Sequence, residues 1–407
     1  MSGALALLRR RPQFRALWAA IGLSYAGSGA ATTALTLYVQ QTRGTGTAVA
    51  AFLIASQVPR LLGPLAGGIA DRTDLRTVLI GCDIGQAAIF AAIATLPAFG
   101  VIIALTALTT VLQTSYGPAR TAMVPNLVAP EELVQANALL GTATNLYVAV
   151  GPLVGGLLFA ALGPSAGLLV NAATFLGSAA LSTRVPATRP PEGTEHEPLL
   201  AATRTAARFI WANSLLRTVT ISTFLLVAFL AVDNVALVFL VRDTLGGSAF
   251  VYGLIEAVFG VGMLTGSFWI LRGRGGGWAP QRLYLLSSSL SSTASLGSGL
   301  APSLGVLAPV QAVAGSGNGI EVVAGETMIQ QQVPRGLIGR VYGFTSSATS
   351  LGIGVAQAGG GILVDATSPR ATFVIAGIGG LLVTLAIAPT MLRAPTRTPA
   401  PTKARSS

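Results

Sequence analysis

The sequence predicts an all-α membrane protein whose twelve transmembrane helices form two pseudo-symmetric six-helix bundles, and three observations carry that expectation. Of its 407 residues, 52% are hydrophobic and 10% charged, too few charges to cover a soluble surface. Stretches of about 20 apolar residues, the length of helix that crosses a hydrocarbon core, recur from Phe14 to Leu392. The third observation is an internal repeat. Pro130-x-x-Leu133 and Gly155-Gly156 return as Pro334-x-x-Leu337 and Gly359-Gly360. Gly46-Thr-Ala48 returns as Gly247-Ser-Ala249, and Gly63-x-x-x-Gly67 as Gly262-x-x-x-Gly266. Four matches in one order across six spans argue for a duplicated unit.

The expected spans are 14–40, 46–70, 76–97, 99–117, 133–161 and 164–184 in the first half. Those of the second are 215–241, 248–271, 281–300, 304–331, 337–363 and 370–392. Residues 1–184 thus form the first bundle, 185–214 a linker, 215–392 the second bundle and 393–407 a basic tail. The linker holds Pro186, Pro190, Pro191 and His196 in a polar composition that cannot remain in hydrocarbon. Arg9, Arg10, Arg11 and Arg15 precede an apolar run from Phe14 to Val39 that is too long for a cleaved signal, so it reads as a retained first helix.

Charge sets the orientation. With both termini on one side, 21 of the 25 basic residues fall there, three (Arg43, Arg242, Arg370) on the other, and Arg60 within the second span. Basic residues favour the cytoplasmic side, so both termini are expected in the cytoplasm. The net charge of +11 serves orientation and does not form the clustered basic surface of a nucleic-acid binder. The single cysteine, Cys82, falls within a span and reads as a small core residue.

Gly63-Pro-Leu-Ala-Gly67-Gly-Ile-Ala-Asp71-Arg72-Thr-Asp74-Leu-Arg76 ends one apolar helix in a charged turn and starts the next. Gly63 and Gly67, four apart, share a face on which another helix can approach closely in lipid. The turn resembles the signature loop between the second and third helices of major facilitator superfamily transporters, Gly-x-x-x-Asp-Arg-x-Gly-Arg-Arg. Asp74 replaces the later glycine here and Leu75 the first of the closing arginines. The aspartate resembles the drug:proton antiporter subgroup that contains macrolide-efflux proteins and the enterobactin exporter. Pro118-Ala-Arg120 and Leu133-Val-Gln-Ala-Asn137 in the next connection resemble the same subgroup. Gly151-Pro152-Leu-Val-Gly155-Gly156 resembles the antiporter motif of the fifth helix, where a proline bends the helix and glycines give it a flat face.

The resemblance implies the major facilitator fold, a substrate cavity between the bundles and alternating access. It also implies that Asp71 and Arg72 meet the start of the eleventh span near Gly336 to Arg340, where a positive helix end favours the aspartate. The sugar-importer pattern Pro-Glu-Ser-Pro is missing after the sixth span, which tilts the expected direction towards export.

Acids inside the bilayer mark candidate function, because even low estimates put a central charge at about 2.5 to 3.5 kcal/mol. Asp83, Asp233, Glu256, Glu321 and Glu326 qualify, with no lysine in any span. Such carboxyls must be protonated, hydrated or hydrogen-bonded, and a desolvated carboxyl can exchange protons near neutral pH. Asp233, Glu256 and Glu321 are the candidates for proton coupling. Glu326 and Asp83 read as near-surface or structural, since Glu321 and Glu326 stand roughly 140° apart around a helix and should not face one cavity. Gln57, Gln86, Gln113, Asn137, Asn145, Asn234 and Gln357 are candidate polar contacts to substrate, or glue between helices.

Enzyme chemistry is poorly served. The sequence lacks a Gly-x-x-x-x-Gly-Lys-Ser/Thr phosphate loop, and one histidine and one cysteine exclude the common zinc sets and leave a Ser-His-Asp triad without support. No cofactor or metal is expected. The expected partners are a small-molecule substrate, protons and the lipid bilayer, with no nucleic acid. The leading expectation is proton-coupled efflux of a hydrophobic or amphipathic compound (an antibiotic, secondary metabolite or siderophore) across a bacterial plasma membrane. Uptake or facilitated exchange of a small metabolite is the alternative, as is a transport-inactive sensor or scaffold, and proton release on substrate addition separates the first from both.

Overall fold

A computed structural model describes residues 2–59, 74–95, 98–187, 199–271, 278–334 and 337–393, and among them there is helix and no strand. In chain order the helices are α1 (Ser2–Arg10), α2 (Pro12–Arg43), α3 (Gly46–Ala55), α4 (Leu75–Thr95), α5 (Phe99–Met123), α6 (Leu133–Ala149), α7 (Gly151–Ser182) and α8 (Leu199–Ala212). They continue with α9 (Ser214–Leu230), α10 (Asp233–Phe239), α11 (Ala249–Leu271), α12 (Pro280–Leu300), α13 (Leu304–Gln332), α14 (Ile338–Ala366) and α15 (Pro369–Arg393). Gly63, Gly67, Asp71 and Arg72 of the signature turn lie outside the described residues. Arg76, in the first turn of α4, donates its backbone N–H to Asp74 at 2.9 Å, which caps that helix.

Seven helical stretches among the described residues are long and apolar enough to cross a membrane. α12 shows why a spanning-length helix can fall short on composition alone. Its serines at 287, 288, 291, 292, 295 and 298 are all buried against neighbouring helices. Ser288 and Ser292 also donate to the carbonyls of Tyr284 (2.8 Å) and Ser288 (2.7 Å) one turn back, so no hydroxyl is left to hydrocarbon.

Several expected spans are interrupted, each for a local reason. The second is helical only to Ala55 before the chain turns at Ser56 and Gln57, where the Ser56 hydroxyl bonds the Leu53 carbonyl at 2.6 Å. The seventh breaks after Leu230 and restarts at Asp233, an acid in the first turn, where the helix dipole favours it. The expected gap at 162–163 is a fold at Gly163, whose φ of 75° suits glycine, with Pro164 opening the next segment. The fifth span also breaks at Val150, ahead of Pro152.

Two helices were not expected. α8 turns the latter part of the linker into structure: Ala206 and Ile210, four apart, are buried against Leu216, Ile329, Val333 and Val341. α1 buries Leu7 in a cluster with Phe14, Leu17 and Leu140. Near it Glu132 accepts the Ala129 N–H and the Arg11 guanidinium, both at 3.0 Å.

The helices meet in two sets of neighbours. α7 packs on α2 and α4, α6 on α2, and α5 on α4; α13 packs on α11 and α12, while α15 packs on α12 and α9. Across these sets α11 lies against α6 and α7, and α3 against α14. Several close approaches are glycine to backbone. A Cβ on Gly151 would come 2.7 Å from the Gly29 Cα, and one on Gly156 would come 2.7 Å from the Ala249 carbonyl oxygen.

Gly151→Ala should therefore force α2 and α7 apart at a cost of about 1–3 kcal/mol. Gly81→Ala, where a Cβ meets no atom within 4 Å, should stay within about 1 kcal/mol of wild type; unfolding midpoints in one detergent check the pair. At Glu132 the Ala129 N–H, assisted by Arg11, holds the carboxyl below the ordinary glutamate range. Its contribution is complete above the ordinary glutamate value and is lost as the pH falls past the lowered one. The stability difference between wild type and Glu132→Gln should persist at neutral pH and vanish in acid, which pH-resolved melting would show.

Candidate functional site

A chamber of about 680 Å³ lies between the two sets of helices, with walls from α2, α3, α6, α7 and α9 to α15. Glu326 and Ser346, on its wall near the ends of α13 and α14 that share a side with the chain termini, are exposed, whereas Tyr252, Gln311 and Phe373 on its deeper wall are about 1% exposed. The mouth is thus on the side of the termini and the far end is shut.

The far end is shut by polar contacts between the two sets. Gln40 at the end of α2 donates to Asp243 at 2.8 Å. Asp365 at the end of α14 accepts the first backbone N–H groups of α3, from Gly46 and Thr47, a carboxylate at a positive helix end. The approach is close because Gly46 faces Gly361, whose carbonyl oxygen would lie 2.7 Å from a Cβ on Gly46.

Chamber acids are held in different ways. Glu256 on α11 accepts from Thr33 of α2 and from Tyr252 one turn earlier, both at 2.8 Å, so one carboxyl joins the two helix sets. Asp233 is brought to the wall by the break between α9 and α10, with exposed Asn234 beside it. Glu321 on α13 is 9% exposed and makes no hydrogen bond among the described residues. Close to it the Tyr284 hydroxyl is held by Ser222 and Thr223, each at 3.1 Å. No arginine or lysine among the described residues lines the chamber.

One expectation is corrected: Glu321 and Glu326 line the same chamber. α13 presents Glu321, Val322, Gly325, Glu326 and Ile329 to it, an arc of roughly 140° at 3.6 residues per turn with the two acids at its edges. The cavity is simply wider than a single helix stripe. Of the candidate polar residues, Gln57, Asn234 and Gln357 line the chamber. Gln113 does not; it donates to Gln86 at 3.1 Å and ties α5 to α4, and Asn145 is also outside the chamber wall.

Asp83 is fully buried away from the chamber, accepting from Ser178 at 2.6 Å and Ser24 at 3.4 Å. Arg120 donates to the Tyr25 hydroxyl at 3.2 Å and lies over its ring, joining α5 to α2. The motif glycines form a two-sided seam: Gly151 and Gly155 face Gly29 and Ala30 of α2, and Gly156 faces Ala249 and Gly253 of α11. Pro152 reaches the chamber wall. Sequence reasoning missed the chamber's hydroxyls, Thr32, Thr33 and Thr36 on α2 and Tyr147, Tyr252 and Tyr284 around them. Threonines three and four apart within an apolar span are the signal that could have found the first group.

Membrane-spanning helices set around one central chamber, closed at one end and open at the other, define a transporter of the major facilitator type. Within that superfamily the chain belongs to the transmembrane secretion effector family, whose sequence profile matches residues 2–403. It is 26% identical over 335 residues to the uncharacterized MFS-type transporter YfiS of Bacillus subtilis strain 168, covering 78% of each chain. It is also 29% identical over 392 residues to the enterobactin exporter EntS of Shigella boydii, covering 93% of this chain and 92% of that one. Among solved structures, the nucleoside transporter NupG superposes with a TM-score of 0.73 at 14% identity, covering 94% of this chain and all of that one. A POT family transporter in complex with 5-aminolevulinic acid superposes with a TM-score of 0.74 at 12% identity, over 93% and 96% of the two chains. These structures share the fold.

If Asp365 and the Gly46–Gly361 contact hold the far end shut, Asp365→Ala or Gly361→Val should leave it ajar. In a Cys82→Ser background, a cysteine replacing Thr36 of the chamber wall should then react several-fold faster with an impermeant maleimide from the far side. An unchanged labelling rate would remove the closing role of these contacts.

Proposed function

We propose that the protein is a secondary active transporter that couples proton entry to efflux of a hydrophobic or amphipathic small molecule, such as an antibiotic, secondary metabolite or siderophore, by alternating access. The single observation that carries this reading is the placement of Asp233, Glu256 and Glu321 on the wall of one chamber with no basic residue among its described lining. Carboxyls so placed are free to take and release protons as the chamber changes sides.

The working units are residues 1–184 and 215–392, joined by 185–214, which rock about the seam of α2, α7 and α11 and about the contact of α3 with α14. Both termini face the cytoplasm of a bacterial cell, with the open mouth on that side, as the excess of basic residues at the same side supports. Export as the direction is supported by the exporter among the relatives. In the opposite conformation Asp71 and Arg72 hold the inner ends together near Arg340. One proton falling through about 100 mV releases about 2.3 kcal/mol, which sustains a substrate gradient of roughly fifty-fold.

The test is resistance to a compound panel in an efflux-deficient bacterium, followed by proton release from everted vesicles when a resisted compound is added. Asp233→Asn, Glu256→Gln and Glu321→Gln should each cut proton-driven efflux about tenfold or more. Full resistance in all three variants would remove the coupling assignment, and flux of the compound without proton movement would favour facilitated exchange.

A further inference from the structure

We infer that α8 and the first turn of α9 form a docking surface for the headgroups of anionic phospholipid, which pins the second set of helices to one face of the bilayer. Between Glu197 and Asp233 the chain carries Arg204, Arg208 and Arg217 and no acid. Arg204, Arg208 and Trp211 are exposed and stand at i, i+4 and i+7, within roughly 60° around α8. Ala206, Phe209 and Ile210 stand across the helix from them and pack with Leu216, Ile329, Val333 and Val341. Among the described residues none of the three arginines is paired with a carboxylate. One face of α8 is thus spent on the protein, and the other presents unpaired positive charge beside an indole.

The packing sets the height of α8. Leu216 lies in the first turn of α9, Val341 in the first turn of α14, and Ile329 in the last turn of α13. The helices α9 and α14 are both long and apolar enough to cross a membrane, so α8 lies across their ends, at the depth where hydrocarbon gives way to headgroups. Arg217 shows which way the basic face turns. The chamber takes Val219, Thr223, Leu226 and Leu230 from α9, whereas Arg217 and Ile221 are exposed on the far side of that helix, towards lipid. The Arg217 guanidinium donates to the Trp211 carbonyl at 3.4 Å, which joins the basic face of α8 to the lipid side of α9. Arginine attracted by an anionic surface and tryptophan seated at headgroup depth are the two residues such an interface uses. A soluble anion would meet the guanidinium groups and offer nothing to the indole.

The test uses the full-length protein in nanodiscs of phosphatidylcholine with a minority of phosphatidylglycerol, one lipid or the other carrying bromine on its acyl chains. Bromine quenches indole fluorescence at contact range, and the quenching lost in Trp211→Phe separates Trp211 from Trp18, Trp269 and Trp278. Per brominated molecule, phosphatidylglycerol should quench Trp211 about twofold or more as strongly as phosphatidylcholine. Arg204→Gln, Arg208→Gln and Arg217→Gln together should bring the two lipids level, whereas Arg204→Lys, Arg208→Lys and Arg217→Lys together should keep most of the preference. Equal quenching by the two lipids in wild type, or a preference unchanged in the folded glutamine variant, would overturn the inference. Quenching of Trp211 by neither lipid would also overturn it, since the face would then turn to water and fit a soluble partner. Excess glycerol phosphate should leave the preference in place; its loss there would assign the arginines to free phosphate and remove the lipid site. No step of this test reads substrate flux, so its failure leaves coupled transport standing, and failure of coupled transport leaves the lipid surface standing.

Discussion

Close approach of helix backbones through glycine is the constraint on which the rest of this structure depends. Between helices in lipid no hydrophobic force operates, so packing rests on van der Waals contact, which is best where side chains are smallest. α11 shows the result. On one side its Gly253 and Gly260 lie against the backbone of Pro152, Gly156 and Val148, and on the other Gly315 and Gly319 of α13 lie against the backbone of Phe259 and Met263. A helix held this closely from both sides has little freedom in rotation, and its rotation decides where Glu256 points. The hydrogen bond from Thr33 to that carboxyl is thus a consequence of glycine packing several residues away along α2 and α7, where Gly29 faces Gly151.

The same constraint explains where polarity is tolerated. Serines of α12 meet glycines of the neighbouring helices: Gly317 of α13 lies against Ser291, and Gly377 and Gly380 of α15 against Ser292. Small hydroxyls bonded to their own helix fill the space a glycine leaves, and the polar group never meets lipid. Carboxyls cannot be hidden that cheaply. Among the described residues Asp83 is the one acid buried outside the chamber, accepting from two serines, while the span acids of the chamber region face a common space large enough for water. Neutral hydroxyls therefore build the scaffold here, and ionisable groups gather where the scaffold leaves room.

Much of this was legible in the sequence because it is written in local signals. Apolar runs located most of the described helices, though not the end of the second at Ala55 or the breaks at Val150 and after Leu230; Gly163-Pro164 fell in the expected gap, and the acids of the spans were visible as exceptions to their surroundings. The chamber itself was not legible, since it depends on which face of each helix turns inward, and that is set by contacts between residues such as Thr33 and Glu256, more than two hundred positions apart. Equal-looking polar residues therefore separated only in three dimensions: Gln57 and Gln357 reach the chamber, while Gln113 and Gln86 bond each other. Periodicity misled at Glu326, because a helix stripe is narrower than the arc α13 presents to a wide cavity. α8 was missed because its charges at Arg204 and Arg208 read as a polar linker, although Ala206 and Ile210 on another face bury it against α14.

The far-end contact is held by interactions that are individually weak. Asp365 caps the start of α3 from the other set of helices. A carboxylate at a helix N-terminus contributes about 0.3–1 kcal/mol when exposed and up to about 2 when partly buried. A contact of that size holds the far end without locking it. A latch of at most about 2 kcal/mol shifts a two-state population by roughly thirtyfold or less, which the roughly 2.3 kcal/mol of one charge falling through about 100 mV exceeds. Buried ion pairs in the same positions would leave an unpaired charge in the alternate state at a cost of about 3–5 kcal/mol, more than one proton supplies. Weak capping at the far end, beside tight glycine contacts, joins the two helix sets without a strong lock.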